Sequence, residues 1–315
     1  MGIQETVSLD YTPRPWQQSC HVSKKRFTVL ALHRRAGKTE LALMELLDCA
    51  MNCKHELGAF FYVAPQLKQA KAIAWSRLKS RVEKIVAAGG AVIPEGELAV
   101  RFPHNGATIK IYGADNPDAM RGVRLDGVVL DEVAQMKPEV WHEIVQPALA
   151  DRLGWALFIG TPQGINLFSE LYYRAANLMS QTGSEWYAAR FTCQDTDAIV
   201  HSEVERMRQE MSETVFAREM LCDFSAAGDD QLISLSLAET ASKKMYTARD
   251  LIAAPRVIGV DPARFGNDRS VIIKRQGPQA FPPMVYQGVD NMQLADLVAQ
   301  AIGDWHPEAT FIDSG

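Results

Sequence analysis

The loop at residues 33–39 has the residue types and spacing of a phosphate-binding loop. It follows an apolar run, precedes an amphipathic segment and reads His33-Arg34-Arg35-Ala36-Gly37-Lys38-Thr39. In such loops backbone N–H groups and a helix N-terminus face the phosphates, and Gly37 would permit their close approach. Lys38 would neutralise the β- and γ-phosphate oxygens, and the Thr39 hydroxyl would reach magnesium. Because Leu32 stands where the usual motif has its first glycine, an ordinary helix start remains an alternative.

Two adjacent carboxylates, Asp131 and Glu132, end a second apolar run. Their distance along the chain from the loop suits a neighbouring strand of the same sheet. In P-loop ATPases the first acid holds magnesium and the second polarises the attacking water, so we assign these roles in that order and predict ATP hydrolysis. A carboxylate pair that caps a helix near Pro138 would explain the pair alone, but not its joint occurrence with the loop.

A third polar step ends a further apolar run and reads Gly160-Thr161-Pro162-Gln163-Gly164. A small hydroxyl such as that of Thr161, at the carboxyl end of a strand beside the phosphate loop, can sense the γ-phosphate and relay its loss. Gly-Thr-Pro is also ordinary turn chemistry, so a simple strand-ending turn is the alternative.

These motifs need strands that bring them to one edge of a sheet. Through the first two hundred residues, β-branched and aromatic runs alternate with helical patterns, which is typical of a parallel α/β sheet. Strands are predicted at 27–32, 59–63, 127–130 and 156–159, an antiparallel pair with an Asn-Gly turn at 97–102 and 108–112, and helices at 38–53, 69–88 and 202–222.

A second strand-rich unit follows a small, polar stretch at 225–230. Its predicted strands and helix are 257–260, 270–274, 284–288, 293–304 (helix) and 310–312. We therefore predict a first domain at 1–224 with a helical subdomain near 202–222, a linker at 225–255 and a second domain at 256–315. Since the chain stops directly after a buried-type strand, we expect the second domain to be incomplete and the sequence truncated.

Composition excludes several classes of protein. The 315 residues, 47% hydrophobic and 23% charged, suit one large or two ordinary globular domains and not a disordered chain. The longest apolar runs fall far short of the roughly 18–20 residues of a membrane span, and no secretory signal is evident, so we expect a soluble protein. The five scattered cysteines predict reduced thiols and argue against a zinc ribbon. A net charge of −5 means that any nucleic-acid contact must be local.

Taken together, the first three motifs and the upstream Pro13-Arg14-Pro15-Trp16-Gln17 resemble the ATPase of the large terminase subunits of tailed bacteriophages, which package DNA into capsids. The resemblance implies an α/β fold class, in which a P-loop NTPase domain of RecA/ASCE type precedes a partial ribonuclease-H-like domain. It also implies that Trp16 and Gln17 lie against adenine and that Arg34 or Arg35 touches the phosphates. Thr161 would belong to the motif that couples hydrolysis to DNA movement.

The same resemblance suggests a role for Arg121, just before the acidic strand. It matches a position where related motors place a trans-acting arginine finger; a salt bridge within the fold is the alternative. The implied cofactors are ATP and Mg²⁺. The implied partners are double-stranded DNA, the small terminase subunit and the capsid portal protein, with no membrane partner. We expect a homo-oligomeric ring on the portal, or a monomer in solution, in the bacterial cytoplasm and transiently at the procapsid.

A later set of residues resembles the start of that family's nuclease. It comprises Val260-Asp261-Pro262-Ala263, Gly266, Asp268 and Phe311-Ile312-Asp313. Two-metal cleavage needs several carboxylates around ions about 4 Å apart, and Asp261 and Asp313 could supply two if their strands are adjacent. Mg²⁺ or Mn²⁺ would be the metal. Asp268 is an alternate ligand or a turn residue, and Asp261 could simply end a strand.

The nuclease family needs a further acid beyond Gly315, so we expect that this chain does not cut DNA efficiently. Two other interpretations stay open at this point. One is a helicase-type P-loop ATPase, which predicts a second RecA-like lobe after residue 256. The other is an inactive prophage remnant that folds but has lost assembly and cleavage.

Overall fold

The computed structural model describes residues 9–226, 235–263 and 268–313. The chain divides into two compact units, Met1–Ala238 and Glu239–Gly315. Within those described ranges, no helix combines the length and apolar character needed to cross a bilayer. All five cysteines lie in the described ranges and are free thiols, as the sequence predicted.

The first unit is built around a sheet that has seven strands in the described part of the chain. They are β1 (Phe27–Leu32), β2 (Ala59–Ala64), β3 (Ala99–Arg101), β4 (Thr108–Gly113), β5 (Gly127–Asp131), β6 (Trp155–Gly160) and β7 (Trp186–Phe191). Their order is β3-β4-β2-β5-β6-β1-β7, and only the β3–β4 pair is antiparallel among these neighbours. The predicted α/β fold with a mainly parallel sheet is confirmed, and the carboxyl ends of β1, β6 and β5 lie side by side.

Helices and short helical turns cover both faces of this sheet. They are α1 (Pro15–Ser23), α2 (Lys38–Met51), α3 (Leu67–Ala70), α4 (Ser76–Ala87), α5 (Gln146–Ala148), α6 (Leu167–Leu178), α7 (His201–Glu210) and α8 (Glu213–Glu219). Within β1, Leu30 and Leu32 join one apolar core while Val29 and Ala31 join the other. This double burial explains why the central strands are apolar at almost every position.

Two predicted helices are divided in the structure. The segment predicted at 69–88 comprises α3, a π-helical stretch at Lys71–Trp75 and α4. The single helix predicted at 202–222 was wrong, because the chain breaks between α7 and α8. Ser212 provides the physical reason: its hydroxyl accepts a hydrogen bond from Val215 N at 3.3 Å and caps α8.

The second unit contains a mixed sheet. Its elements are α10 (Ala248–Leu251), β8 (Arg256–Asp261), β9 (Arg269–Gln276), β10 (Gln279–Ala280), β11 (Met284–Gln287), α11 (Asn291–Trp305) and β12 (Ala309–Ile312), and α9 (Leu235–Lys243) precedes them. The order is β10-β9-β8-β12, with β11 also paired to β9, and only β8–β12 is parallel among these pairs of described strands. Helix α11 packs Leu294 and Val298 against Ile258 and Val260. The predicted linker region contains α9 and α10, and Gly266 lies outside the described residues.

Candidate functional site

The three polar motifs meet at the carboxyl ends of β1, β5 and β6. Lys38 Nζ lies 2.7 Å from Glu132 Oε1 and donates to Thr161 Oγ1 at 3.2 Å. Thr39 Oγ1 donates to Asp131 Oδ2 at 3.5 Å. Residues from separate parts of the chain therefore form one polar cluster, because their parallel strands end at the same edge of the sheet.

The loop at 33–39 has a backbone shape suited to an anion. Arg35 and Gly37 have left-handed φ values of +68° and +100°, and Ala36 N donates to His33 O at 3.2 Å. Backbone turns that alternate in this way direct successive N–H groups into a concave surface. Gly37 is also the residue before α2, so the positive end of that helix dipole adds to the site.

Asp131 is the most deeply buried acid of the cluster. Tyr62, from β2, donates its hydroxyl hydrogen bond to Asp131 Oδ2, while Oδ1 is buried without a hydrogen-bond partner among the described residues. The pKa of Asp131 is raised to about 6, chiefly by burial; the charge of the neighbouring Glu132 adds to this rise, and Lys38 opposes it. Tyr62 was not predicted as a site residue, although a tyrosine inside a buried strand requires a hydrogen-bond partner.

Glu132 adopts a strained backbone conformation at the point where β5 ends. Its φ is +56°, a left-handed value that non-glycine residues seldom adopt. Besides the Lys38 contact, Glu132 Oε2 accepts a hydrogen bond from Thr161 N at 3.4 Å. The Thr161 hydroxyl in turn donates to Leu32 O at 3.3 Å, so Thr161 joins the carboxylate to the end of the strand that precedes the loop.

Helix α1 braces the loop from outside. Arg14 Nη1 donates to Ala36 O at 3.0 Å, and Gln17 Nε2 donates to Gly37 O at 3.2 Å. Trp16 is buried against Phe191, with ring centroids 5.4 Å apart. The bracing role of Arg14 was missed, and the adenine contact of Trp16 and Gln17 stays a prediction.

The predicted arginines lie on the surface. Arg34 has a side chain that is 73% exposed and lies 3.9 Å from Glu219 of α8, and Arg35 is exposed. Arg121 forms an ion pair with Asp118 at 2.6 Å. The salt-bridge alternative for Arg121 is thus present, and the phosphate contact and finger role remain predictions.

The start of the loop is tied to the segment that follows β7. His33 N donates to Phe191 O at 3.1 Å, and Arg34 N donates to Glu219 O at 2.9 Å. The buried His33 ring contacts Thr196 Oγ1 at 2.6 Å, and burial lowers the pKa of this histidine, which favours the neutral ring. The α7–α8 segment is therefore joined directly to the loop.

In the second unit, Asp261 and Asp313 lie on neighbouring parallel strands. Ile312 pairs with Val260, and Asp313 N donates to Val260 O at 2.9 Å. Each aspartate is the next residue after this pair, so their strands are adjacent as a shared metal site requires, and the metal site itself stays a prediction. Asp268 is exposed just before β9.

The donor set of the first cluster fits a magnesium ion. Asp131 Oδ1 is a buried carboxylate oxygen without a hydrogen-bond partner among the described residues, and the Thr39 hydroxyl contacts the other oxygen of the same group. Magnesium binds through one or two such oxygen donors together with substrate phosphates. The surrounding protein compensates the buried charge of Asp131 only in part, and a cation at this position would compensate the rest.

The chain is similar to known proteins over this unit and beyond it. The family model "Terminase large subunit, T4likevirus-type, N-terminal" matches residues 31–239. The large terminase subunit of Thermus phage G20c is 33% identical over 184 residues, which cover 52% of this chain and 36% of the relative. The chain therefore spans little more than a third of that relative's length.

Two solved structures are similar to the chain. The ATPase domain of the Thermus phage P74-26 large terminase is 25% identical with a TM-score of 0.59, covering 69% of this chain and 95% of that one. The large terminase of another thermophilic bacteriophage, in complex with ATP-gamma-S, is similar in fold, with 13% identity and a TM-score of 0.52 over 96% of this chain and 77% of that one.

Proposed function

Because the chain belongs to the large terminase subunits of tailed bacteriophages, we propose that its first unit hydrolyses ATP to move double-stranded DNA into a capsid. We assign this unit to the P-loop NTPases of RecA/ASCE type. The observation that carries the proposal is the polar cluster in which Lys38 and Thr39 contact Glu132 and Asp131. Loop and carboxylates are thus close enough to act on one triphosphate.

ATP would bind with its phosphates against the loop. The amides that follow Arg35, the start of α2 and the Lys38 ammonium provide the positive field, and Arg34 or Arg35 would add a contact. Trp16 and Gln17 would lie towards the adenine. Thr39 and Asp131 would hold Mg²⁺, which when bound neutralises charge on the phosphate oxygens.

Glu132 would act as the general base. It pairs with Lys38 at 2.7 Å, so phosphate oxygens that bind Lys38 compete for the same ammonium. Once Lys38 turns to phosphate, the Glu132 carboxylate can accept a proton from the attacking water. Thr161 N also holds this carboxylate, which fixes its direction.

Coupling to DNA would pass through two routes. Thr161 contacts both Lys38 and Leu32 O, so loss of the γ-phosphate alters a contact at the end of β1. The loop also bonds to Phe191 and Glu219, which lead to the α7–α8 segment. That segment would pass the shift to DNA.

Assembly would complete the motor. We propose a ring of identical subunits on the portal protein, supplied with DNA by the small terminase subunit, at the procapsid in the bacterial cytoplasm. In such a ring Arg121 would reach the nucleotide of a neighbouring subunit after leaving Asp118.

The second unit would be the first part of a ribonuclease-H-like nuclease. Asp261 and Asp313 are carboxylate donors placed side by side by the parallel β8–β12 pair, a donor type that Mg²⁺ or Mn²⁺ accepts. A helicase-type motor would instead need a second parallel lobe, whereas β8–β9 and β9–β11 are antiparallel. This topology favours the terminase interpretation.

The test compares two variants of the cluster with the wild-type chain. Glu132→Gln should lower kcat for ATP hydrolysis by about 10²–10⁴-fold while ATP binding persists, because only the proton acceptor is lost. Lys38→Ala should weaken ATP binding itself. Turnover and nucleotide affinity, measured by phosphate release and calorimetry, separate the two. Wild-type turnover in Glu132→Gln would refute the assigned base, and unchanged affinity in Lys38→Ala would refute the loop.

A further inference from the structure

Three donors of different chemistry meet at the amino edge of the same sheet, away from the nucleotide cluster. Cys53 Sγ, a His55 ring nitrogen and an Asp126 carboxylate oxygen all lie within 4.8 Å of one another. Cys53 and His55 are in the loop between α2 and β2, and Asp126 directly precedes β5. Since β2 and β5 are parallel neighbours, their amino ends bring the loop and Asp126 together. The proposed ATPase uses none of these residues.

Contacts around the cluster fix the carboxylate, and the Cys53 thiol donates a hydrogen bond to His55 O at 3.6 Å. Asp126 is 6% exposed at its side chain, and its Oδ2 accepts hydrogen bonds from Ala59 N at 2.8 Å and Arg152 Nη1 at 2.6 Å. This leaves Oδ1 directed at His55 Nδ1, 2.6 Å away. Outer contacts that hold one carboxylate oxygen in this way orient the other for a metal.

Gly58 makes room for the thiol. A Cβ atom at Gly58 would lie 2.6 Å from Cys53 Sγ, a distance that real Cβ atoms do not adopt. The φ of Gly58 is not left-handed, so the backbone conformation does not require glycine at this position. The sulfur is therefore packed into a space that only glycine leaves, next to the other two donors.

We propose that Cys53, His55 and Asp126 bind a divalent transition cation of the zinc type. Thiolate, imidazole and carboxylate are ligands of Zn²⁺, whereas Mg²⁺ and Ca²⁺ select oxygen donors. His55 is 58% exposed, so the fourth position opens to water. Binding exchanges the His55–Asp126 and Cys53–His55 O hydrogen bonds for bonds to the metal. The Nδ1 proton of the neutral His55 ring moves through solvent to Nε2, and the Cys53 thiol proton is released to solvent. The metal would fasten the α2–β2 loop to the start of β5.

The experiment is a Co²⁺ titration of the reduced, chelator-treated chain, followed by absorbance. We expect a near-ultraviolet thiolate-to-cobalt charge-transfer band that saturates at one equivalent and disappears on addition of Zn²⁺. Cobalt bound at carboxylate sites such as Asp131 or Asp261 gives no such band, because those sites lack sulfur. The test is therefore independent of the ATPase and the nuclease.

Two variants locate the site. Cys53→Ser should abolish the band, and His55→Ala should lower cobalt affinity at least as much as the roughly 10–100-fold typical of a lost outer-shell contact. Cys193→Ser, which changes a distant cysteine, should keep the band. His55 is exposed, so its variant decides the matter even if Cys53→Ser does not fold. A wild-type chain without the band, a band that survives in Cys53→Ser, or an unchanged cobalt affinity in His55→Ala would overturn the proposal.

Discussion

Strand β5 has a buried aspartate at each end, and the two have opposite surroundings. Asp126, before the strand, is contacted by Ala59 N, Arg152 and His55, so both of its oxygens have partners. Asp131, the last residue of the strand, has Tyr62 and Thr39 on one oxygen and no hydrogen-bond partner on the other among the described residues. The protein therefore compensates the aspartate at the amino edge of the sheet, whereas the aspartate at the carboxyl edge has fewer hydrogen-bond partners.

This difference separates a carboxylate that protein contacts compensate from one whose second oxygen has no such contact among the described residues. A buried charge that lacks partners lowers the stability of the folded state, and a buried charge with partners lowers it less. At the carboxyl edge of the sheet, the Mg²⁺ ion proposed at Asp131 would offset this loss. At the amino edge, Asp126 already has protein partners. The metal that we propose there would replace the His55–Asp126 hydrogen bond with bonds to the metal.

The largest expected effect is on ATP hydrolysis and comes from a substitution at the carboxyl edge of the sheet. Asp131→Asn should lower kcat for ATP hydrolysis by about 10³-fold, because the site loses the charged oxygen ligand proposed for Mg²⁺. Steady-state phosphate release measures it. Asp126→Asn, just before the amino end of the same strand, is the matched control and should retain turnover within about twofold per folded molecule; an equal loss in both variants would mean that the two ends do not differ in function.

Asp126→Asn should instead destabilise the fold. Removing the charge leaves Arg152 without its carboxylate and weakens the hydrogen bond from Ala59 N, a loss of about 3–4 kcal/mol in the free energy of unfolding. Urea denaturation with chelator present measures the protein contacts alone. A stability equal to wild type would show that Asp126 is not the compensated member of the pair.

The pH dependence of stability should expose the uncompensated aspartate. The folded-state pKa of Asp131 is about 6 against an ordinary 3.8. Protonated Asp131 is therefore favoured by folding, and this contribution is present below about pH 4 and lost as the pH rises through 6. Without nucleotide or metal, Asp131→Asn should become more stable than wild type by up to about 3 kcal/mol over that interval. Urea midpoints that differ by a constant amount across it would contradict the assignment.

The smallest predicted effect concerns Tyr62, which holds one oxygen of Asp131. Tyr62→Phe should lower Mg²⁺ affinity in the ATPase assay about tenfold, because the carboxylate loses an orienting contact. The measurement is the Mg²⁺ concentration that gives half-maximal turnover, and high Mg²⁺ should restore most of kcat. A loss of kcat that Mg²⁺ cannot restore would mean that Tyr62 does more than orient Asp131.

Sequence predicted the parts of the site that lie in short, contiguous motifs. The loop with Lys38 and Thr39 and the pair Asp131 and Glu132 each follow an apolar strand, so their edge of the sheet could be inferred. Tyr62 could not, because it stands in the continuous apolar run of β2, where a tyrosine resembles any core residue. Its role depends on the β2–β5 pairing, which links residues far apart in the chain.

The fold was predictable where strands are central and apolar. Strand β1 was predicted with its observed bounds. Strand β7 was not predicted, because it is an edge strand with only two of its six residues buried, Trp186 and Ala188, and carries Arg190 within it. The cluster of Cys53, His55 and Asp126 was equally hidden, since no metal-binding spacing joins a loop before β2 to a residue before β5.

The pairing of β1 with β7 gives the first unit a mechanical direction. Six residue pairs join the strands, from Phe27 with Trp186 to Leu32 with Phe191. The hydrogen bonds between parallel strands are evenly spaced, so a force on the α7–α8 segment along the axis of β7 loads all of them together in shear. A force across that axis would instead break them one after another from one end. The joint is therefore anisotropic: it is stiff along the strands and compliant across them.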